Sequence, residues 1–232
     1  MEQKMLEILQ KTSLFAGLSG PELEQLFQCL SPWCGTYGKQ ETVLRAGTLT
    51  ANLGVVLSGG VCLAREDVNG NREIVGKVDA GGIFAEVFAC LRDVPLSVTA
   101  TAVAPTQVLF FDAERLQQIC PTACGCHSRV LQNLLRLLAE KNYDLTEKLE
   151  HISRRTTREK LLSYLVAQSR AAHSMEFTIP FNRQQLADYL AVDRSAMSKE
   201  LTRMRADGLI ECERSRFRLL PGAAYGLNNS EN

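Results

Sequence analysis

The chain has 232 residues, 45% of them hydrophobic, and its 26 Lys+Arg balance 26 Asp+Glu to a formal net charge of zero. That length supplies two modest cores, no run of 18 apolar residues offers a membrane span, and the N-terminal MEQKMLEILQKTSLFAGLSG lacks the basic start and apolar middle of a signal peptide. The expectation is a cytoplasmic protein whose eight cysteines are mostly reduced thiols and not a disulfide framework. Charge is unevenly spread: residues 1–127 carry 9 Lys+Arg against 13 Asp+Glu, residues 128–232 carry 17 against 13, and residues 151–220 carry 13 against 8. An acidic front joined to a basic back points to a polyanionic partner for the back half only.

The first residues read as an amphipathic helix with Met5, Ile8 and Leu9 on one side. From Thr42 to Asp112 short β-branched or alternating runs follow, as in LGVVLSGGVCLA, REIVGKV and SVTATAVAPTQVLFF, broken by Gly47, Gly59-Gly60, Gly81-Gly82 and Pro105. Such close-spaced strands predict an antiparallel jelly roll, a double-stranded β-helix, with Asn69-Gly70 as the best hairpin turn.

CPTACGCH comes next, holding Cys120, Cys124, Cys126 and His127 within eight residues. With Pro121 as first helical residue, Cys120 is the cap and Cys124 lies one turn in, where a helix N-terminus favours thiolate. Thiolate is what a soft metal or an oxidant needs. Against this, C-x3-C-x-C-H is not a zinc pattern, and one helix cannot aim all four groups at one ion. The alternatives are a metal or redox sensor and ordinary packing at a helix start.

Leu131, Leu135, Leu138, Asn142, Leu145, Leu149 and Ile152 then follow at steps of 4, 3, 4, 3, 4 and 3. That heptad seam predicts a parallel dimer helix, with Asn142 fixing register and partner number and Leu134 and Leu137 packing back on the roll.

The last part reads as a compact domain. RTTREKLLSYLVAQSR is a helix with Leu161, Leu162 and Leu165 inward, and FTIP is a short strand. NRQQLADYLAVDRSAMSKELTRMRADGLI gives two helices with caps at Asn182 and Asp193, a turn at Ala191-Val192 and a stop at Gly208. LIECE and FRLL form a hairpin wing around Arg214-Ser215-Arg216. Two short helices crossing at Ala187 make a helix-turn-helix, whose second helix enters the DNA major groove. Arg194, Ser195, Ser198 and Lys199 are the candidates for base edges. Arg183, Thr202, Arg203, Arg214 and Arg216, with Arg218 beside them, are the candidates for phosphates.

The order of β-roll, long helix and winged helix-turn-helix resembles the CRP/FNR family of bacterial transcription regulators, most specifically over residues 156–210. LRAG (44–47), LSGGV (57–61) and GGIFAE (81–86) resemble its roll landmarks. The resemblance implies an α+β chain: a cyclic-nucleotide-binding-like sensor over 1–119, a dimerisation helix over 120–153 and a DNA-binding domain over 154–232. It implies an effector-responsive homodimer on a pseudo-palindromic double-stranded operator, recruiting or blocking RNA polymerase, with no membrane partner. The effector pocket it implies lies at Gly81, Gly82, Glu86, Leu96 and Ser97.

Two departures matter. Where the family's cyclic-AMP receptors carry arginine before the serine, this chain has Leu96, so a cyclic phosphate lacks its bidentate partner and cAMP is disfavoured. Where those receptors carry a cytosine-reading glutamate, this chain has Ser195, so a different operator is expected. The oxygen-sensing branch holds an iron–sulfur cluster on N-terminal cysteines, but only Cys29 and Cys34 stand there, at the wrong spacing. Cofactor and effector stay open, with an iron–sulfur or other metal centre at the later cysteines as one alternative. No Ser/His/Asp order, phosphate-cradling glycine loop or paired carboxylates suggest an enzyme, and His127, His151 and His173 are scattered. The rival reading is a cyclic-nucleotide-like module that regulates a protein partner.

Overall fold

Successive side chains of a strand point to opposite faces, so a strand that is apolar throughout can serve two cores. The front half is built on that rule. The computed structural model describes residues 3–66, 72–117 and 125–221, and it divides into two units, Met1–Ala139 and Glu140–Asn232.

In the first unit α1 (Gln3–Lys11) and α2 (Gly20–Leu30) precede β1 (Trp33–Tyr37), β2 (Thr42–Leu44), β3 (Asn52–Ser58), β4 (Gly60–Glu66), β5 (Arg72–Asp79) and β6 (Ile83–Phe84). Then come α3 (Glu86–Leu91), β7 (Thr99–Ala102), β8 (Thr106–Asp112), α4 (Ala113–Gln117) and α5 (Gly125–Ile152), and the boundary between the units falls inside α5. The strands form two four-stranded antiparallel sheets, ordered β1-β8-β3-β6 and β2-β7-β4-β5. This is the expected roll. The Asn69-Gly70 turn lies outside the described residues, between the paired strands β4 and β5.

Leu53, Val55 and Leu57 of β3 and Leu109 and Phe111 of β8 enter a core with Leu9, Phe15, Leu23 and Leu26. Val56, Val108 and Phe110, from the alternate positions, enter a second core with Phe84, Val61 and Ala102. Gly54 makes room for the latter, because a Cβ there would sit 2.5 Å from Phe84 Cζ. Val130, Leu134 and Leu137 of α5 are buried in the first core, as the sequence predicts for the two leucines. The indole of Trp33, half exposed, stacks on Phe110 with ring centroids 4.3 Å apart.

In the second unit α6 (Thr157–Ala171), β9 (Glu176–Thr178), α7 (Arg183–Tyr189), α8 (Arg194–Ala206), β10 (Ile210–Glu213) and β11 (Arg216–Leu219) follow the end of α5. The strands pair in the order β10-β11-β9, so the wing is a three-stranded antiparallel sheet that includes the predicted FTIP strand. Leu161, Leu162, Leu165, Leu186, Ala187, Leu190, Met197, Leu201 and Met204 are buried together with Phe177, Ile210 and Phe217. No described helix is long and apolar enough to cross a membrane.

Candidate DNA-binding face

Helix α8 starts and stops where its sequence says it should. Asp193 Oδ1 accepts from the amide of Ala196 at 2.8 Å, satisfying an orphan donor of α8. The same oxygen accepts from Ser195 Oγ at 2.5 Å, and these bonds hold the Asp193 carboxyl below its ordinary range. At the other end Gly208 takes a positive φ of 68°, a conformation natural to glycine one residue past the C-cap Asp207. Helix α7 is capped reciprocally: Asn182 Oδ1 accepts from the Gln185 amide at 3.0 Å, and Gln185 Oε1 accepts from the Asn182 amide at 2.9 Å. The turn between the helices runs through Ala191, with the Val192 amide donating to Ala187 O at 3.0 Å. Lys160 Nζ donates to Leu190 O at 3.4 Å, closing off the end of α7.

Burial of Met197, Leu201 and Met204 turns the opposite face of α8 outward. Arg194, Ser195, Ser198, Lys199, Thr202 and Arg203 are all exposed. They are not equally available. The Ser195 hydroxyl serves Asp193, and Thr202 Oγ1 donates to Ser198 O at 3.1 Å. Arg194, Lys199 and the Ser198 hydroxyl are therefore the groups best placed to donate to guanine or phosphate.

The flanking arginines differ more. Arg183 is half buried: its guanidinium lies over the Phe217 ring at 5.1 Å and donates to Cys212 Sγ at 3.6 Å, and its Nη1 has no partner. Arg216 pairs with Glu176, Arg218 with Glu211 at 3.6 Å, and Arg203 with Glu200 at 3.6 Å. Arg214 stands exposed at the tip of the wing with a φ of 49°. Arg183, Arg194 and Arg214 border one groove of about 750 Å³ with Phe181 and Asn182, a cationic cleft beside the start of α8.

Three features here escape sequence reading. Arg158 of α6 grips α8 through Glu200 and Asp207. His151 is buried, with Nδ1 2.8 Å from Ser163 Oγ and its ring edge-on to Tyr164, and burial pushes its pKa down. The Tyr164 hydroxyl is buried with no hydrogen-bond partner, and burial pushes its pKa up. The groups that meet in the first two stand 12 to 49 positions apart in sequence, and burial of the third comes from the fold, so no local pattern announces them.

The other predicted sites fall as follows. On α5 Leu135, Leu145 and Leu149 are 60, 61 and 61% exposed. Asn142 is exposed as well, while Leu131, Leu138 and Ile152 are half buried. In the roll Gly81 adopts φ 86° and its amide donates to Val56 O at 2.8 Å. A Cβ on Gly82 would sit 2.6 Å from Val78 Cγ1. Glu86 is buried in the first turn of α3. Leu96 is buried and its amide donates to Thr48 O at 2.9 Å, whereas Ser97 faces solvent.

Cys120 and Cys124 lie outside the described residues. Cys126 is buried in the first core among leucines, and His127 Nε2 lies 3.0 Å from Arg115 O. Among the described residues no group of three or more His, Cys, Asp or Glu is arranged to hold a metal ion.

Residues 35–122 match the family model for a cyclic nucleotide-binding domain, and residues 159–221 match that for a Crp-like helix-turn-helix domain. Among curated proteins, the transcriptional activator protein FnrA of Stutzerimonas stutzeri is 24% identical over 193 residues, covering 78% of this chain and 74% of the relative. A probable transcriptional activator of Rhizobium leguminosarum bv. viciae is 27% identical over 185 residues, covering 77% of this chain and 73% of the relative. Among solved structures, the catabolite activator protein of Thermus thermophilus superposes with a TM-score of 0.54 at 22% identity, covering 93% of this chain and 100% of that one. At that identity the likeness shows the fold.

Proposed function

The chain belongs to the CRP/FNR family of transcription regulators and carries its DNA-binding helix-turn-helix, and on that premise we propose that it is an effector-responsive homodimer acting on a pseudo-palindromic operator. The observation that carries this reading is the outer face of α8, where Arg194, Ser198 and Lys199 stand in solvent on a helix fixed at its start by Asp193 and beneath by its methionine and leucine core. Arg194 and Lys199 supply cationic donors to base edges. Arg214 and the basic groove beside it supply phosphate contacts, which set affinity and register without reading sequence. Arg183, Arg203 and Arg216 reach phosphate only after leaving their present partners. Ser195 contributes through Asp193 in the free protein, so it reads a base only if that bond opens.

Homodimerisation is supported by the exposed leucines of α5, which recur along a heptad seam with Asn142 among them. The effector enters the front half and is not cAMP: at the position of the phosphate-binding arginine stands the buried Leu96, and an anion gains no bidentate partner from it. The promoter-bound dimer acts on RNA polymerase in the cytoplasm.

Selection from random duplexes at moderate salt, followed by gel shift, tests the proposal. The expected result is enrichment of a sequence with two inverted halves about one helical turn apart. Failure to enrich any sequence, with the protein reduced or oxidised, would refute it.

A further inference from the structure

We propose that Arg158, which lies outside the DNA-binding face, is a positioning residue that sets the rotation and axial placement of the recognition helix; the inference rests on the DNA-binding reading above. Arg158 sits in the first turn of α6, just after the cap Thr156. Its Nε donates to Glu200 Oε1 at 2.5 Å and its Nη2 donates to Asp207 Oδ2 at 2.7 Å. Glu200 lies in the middle of α8 and Asp207 is its C-cap. Seven residues, about two turns, separate them, so both project from one edge of the helix. One planar guanidinium thus grips α8 at two points along its length, a geometry that a fork of donors provides and an ammonium does not.

The core beneath α8 and the cap at Asp193 hold the helix in place, and the clamp adds to what sets its turn and its slide. The inward stripe of α8 is Met197, Leu201 and Met204. Methionine is unbranched and fits irregular gaps, so a stripe with two methionines specifies turn and slide less sharply than branched side chains would. On a helical wheel Glu200 and Asp207 occupy the flank between that stripe and the outer face, away from Arg194, Ser195 and Ser198. Holding the flank at two levels resists both rotation and sliding. The clamp is partly sheltered, with the Glu200 side chain 14% exposed and that of Arg158 38% exposed. Base readout needs donors placed to within a fraction of an ångström, whereas phosphate contact tolerates more. The clamp therefore acts on discrimination between sequences.

The test uses the full chain, the duplex recovered by random-site selection, and a scrambled duplex of equal length, with binding measured by fluorescence anisotropy over a series of salt concentrations. Arg158→Ala and the isosteric Glu200→Gln should each lower the ratio of specific to non-specific affinity by about 10-fold or more, the scale on which one misplaced bidentate base contact is felt. Non-specific affinity and its salt slope should stay unchanged, and Arg158→Lys should recover only part of the ratio. A ratio unchanged within twofold in both variants overturns the inference. So does a fall in non-specific affinity with a salt slope smaller by about one, which would make Arg158 a phosphate contact. An equal loss on both duplexes that tracks the unfolded fraction in circular dichroism would leave it a stability residue only. If the unmodified chain enriches no duplex, the DNA-binding reading itself fails and the inference falls with it.

Discussion

The leucines of α5 give the proposed dimer a number. Leu145 and Leu149 each leave 61% of their surface in solvent within one protomer. Burying a leucine completely stabilises by about 1.5–3 kcal/mol, so covering that exposed share stabilises by about 1–2 kcal/mol. In a two-fold interface each residue occurs twice, and the pair together contributes about 4–7 kcal/mol. Truncation to alanine removes most of that. The double variant Leu145→Ala/Leu149→Ala should therefore weaken dimerisation by at least about 3 kcal/mol, or roughly 100-fold in Kd. Sedimentation equilibrium over a wide concentration range reads the change directly. Circular dichroism should show the helix content intact at concentrations where both forms are folded. Binding to the full operator should drop far more than binding to a half-site. A dimer constant within threefold of the unmodified chain would refute the reasoning, because it would mean these leucines do not face a second copy.

Three further predictions concern the second unit and the roll. Tyr164→Phe removes a buried hydroxyl that has no partner, so it should leave the thermal midpoint unchanged or raise it by a few degrees; a loss of more than about 1 kcal/mol would show that the hydroxyl is satisfied in solution. His151 is held below its ordinary value of 6.5 by burial and, less strongly, by Arg154, against the opposing pull of Glu147 and Glu150. The unfolded chain therefore takes up this proton first, so stability is intact above pH 6.5 and declines as the pH falls below it. Thermal melts of the unmodified chain should show that decline, and His151→Gln should flatten it; an equally steep decline in the variant would assign it to other groups. Isothermal titration should detect no cAMP binding at millimolar concentration, and a micromolar Kd would mean that other groups replace the arginine absent at Leu96.

What the sequence discloses here is what lies close along the chain. The caps at Asn182 and Asp193 and the stop at Gly208 each depend on groups within about three residues, and a side chain of the right type suffices to predict them. The strands between Thr42 and Asp112 announce themselves by composition, but β1 (Trp33–Tyr37), which precedes that run, does not, nor does the division of β3 between two cores, since alternation cannot say what covers each face. The availability of the arginines is illegible for the same reason. Arg183 and Arg214 look alike as residues, yet one lies across Phe217 and the other stands in water. Arg158 and Glu200 are 42 positions apart, and nothing local distinguishes them from solvated charges. Ser195 shows the converse: it was legible as a contact because it sits on the right face, while its bond to Asp193 emerges only from the geometry of the cap.

Trp33 is the chain's single tryptophan, and its place on β1 makes it a natural spectroscopic label. Excited at the red edge, where tyrosine does not absorb, the chain emits only from the roll of the first unit. The ring lies against Phe110, which also belongs to the second core of the roll, while half of the residue's surface meets water. A ligand that repacks that core should therefore alter the emission maximum and its quenching by iodide. In denaturant the same signal follows the first unit alone, while helical circular dichroism follows both. Separated midpoints for the two probes would show that the first unit and the second melt as independent bodies, and coincident ones that they melt as a single cooperative body.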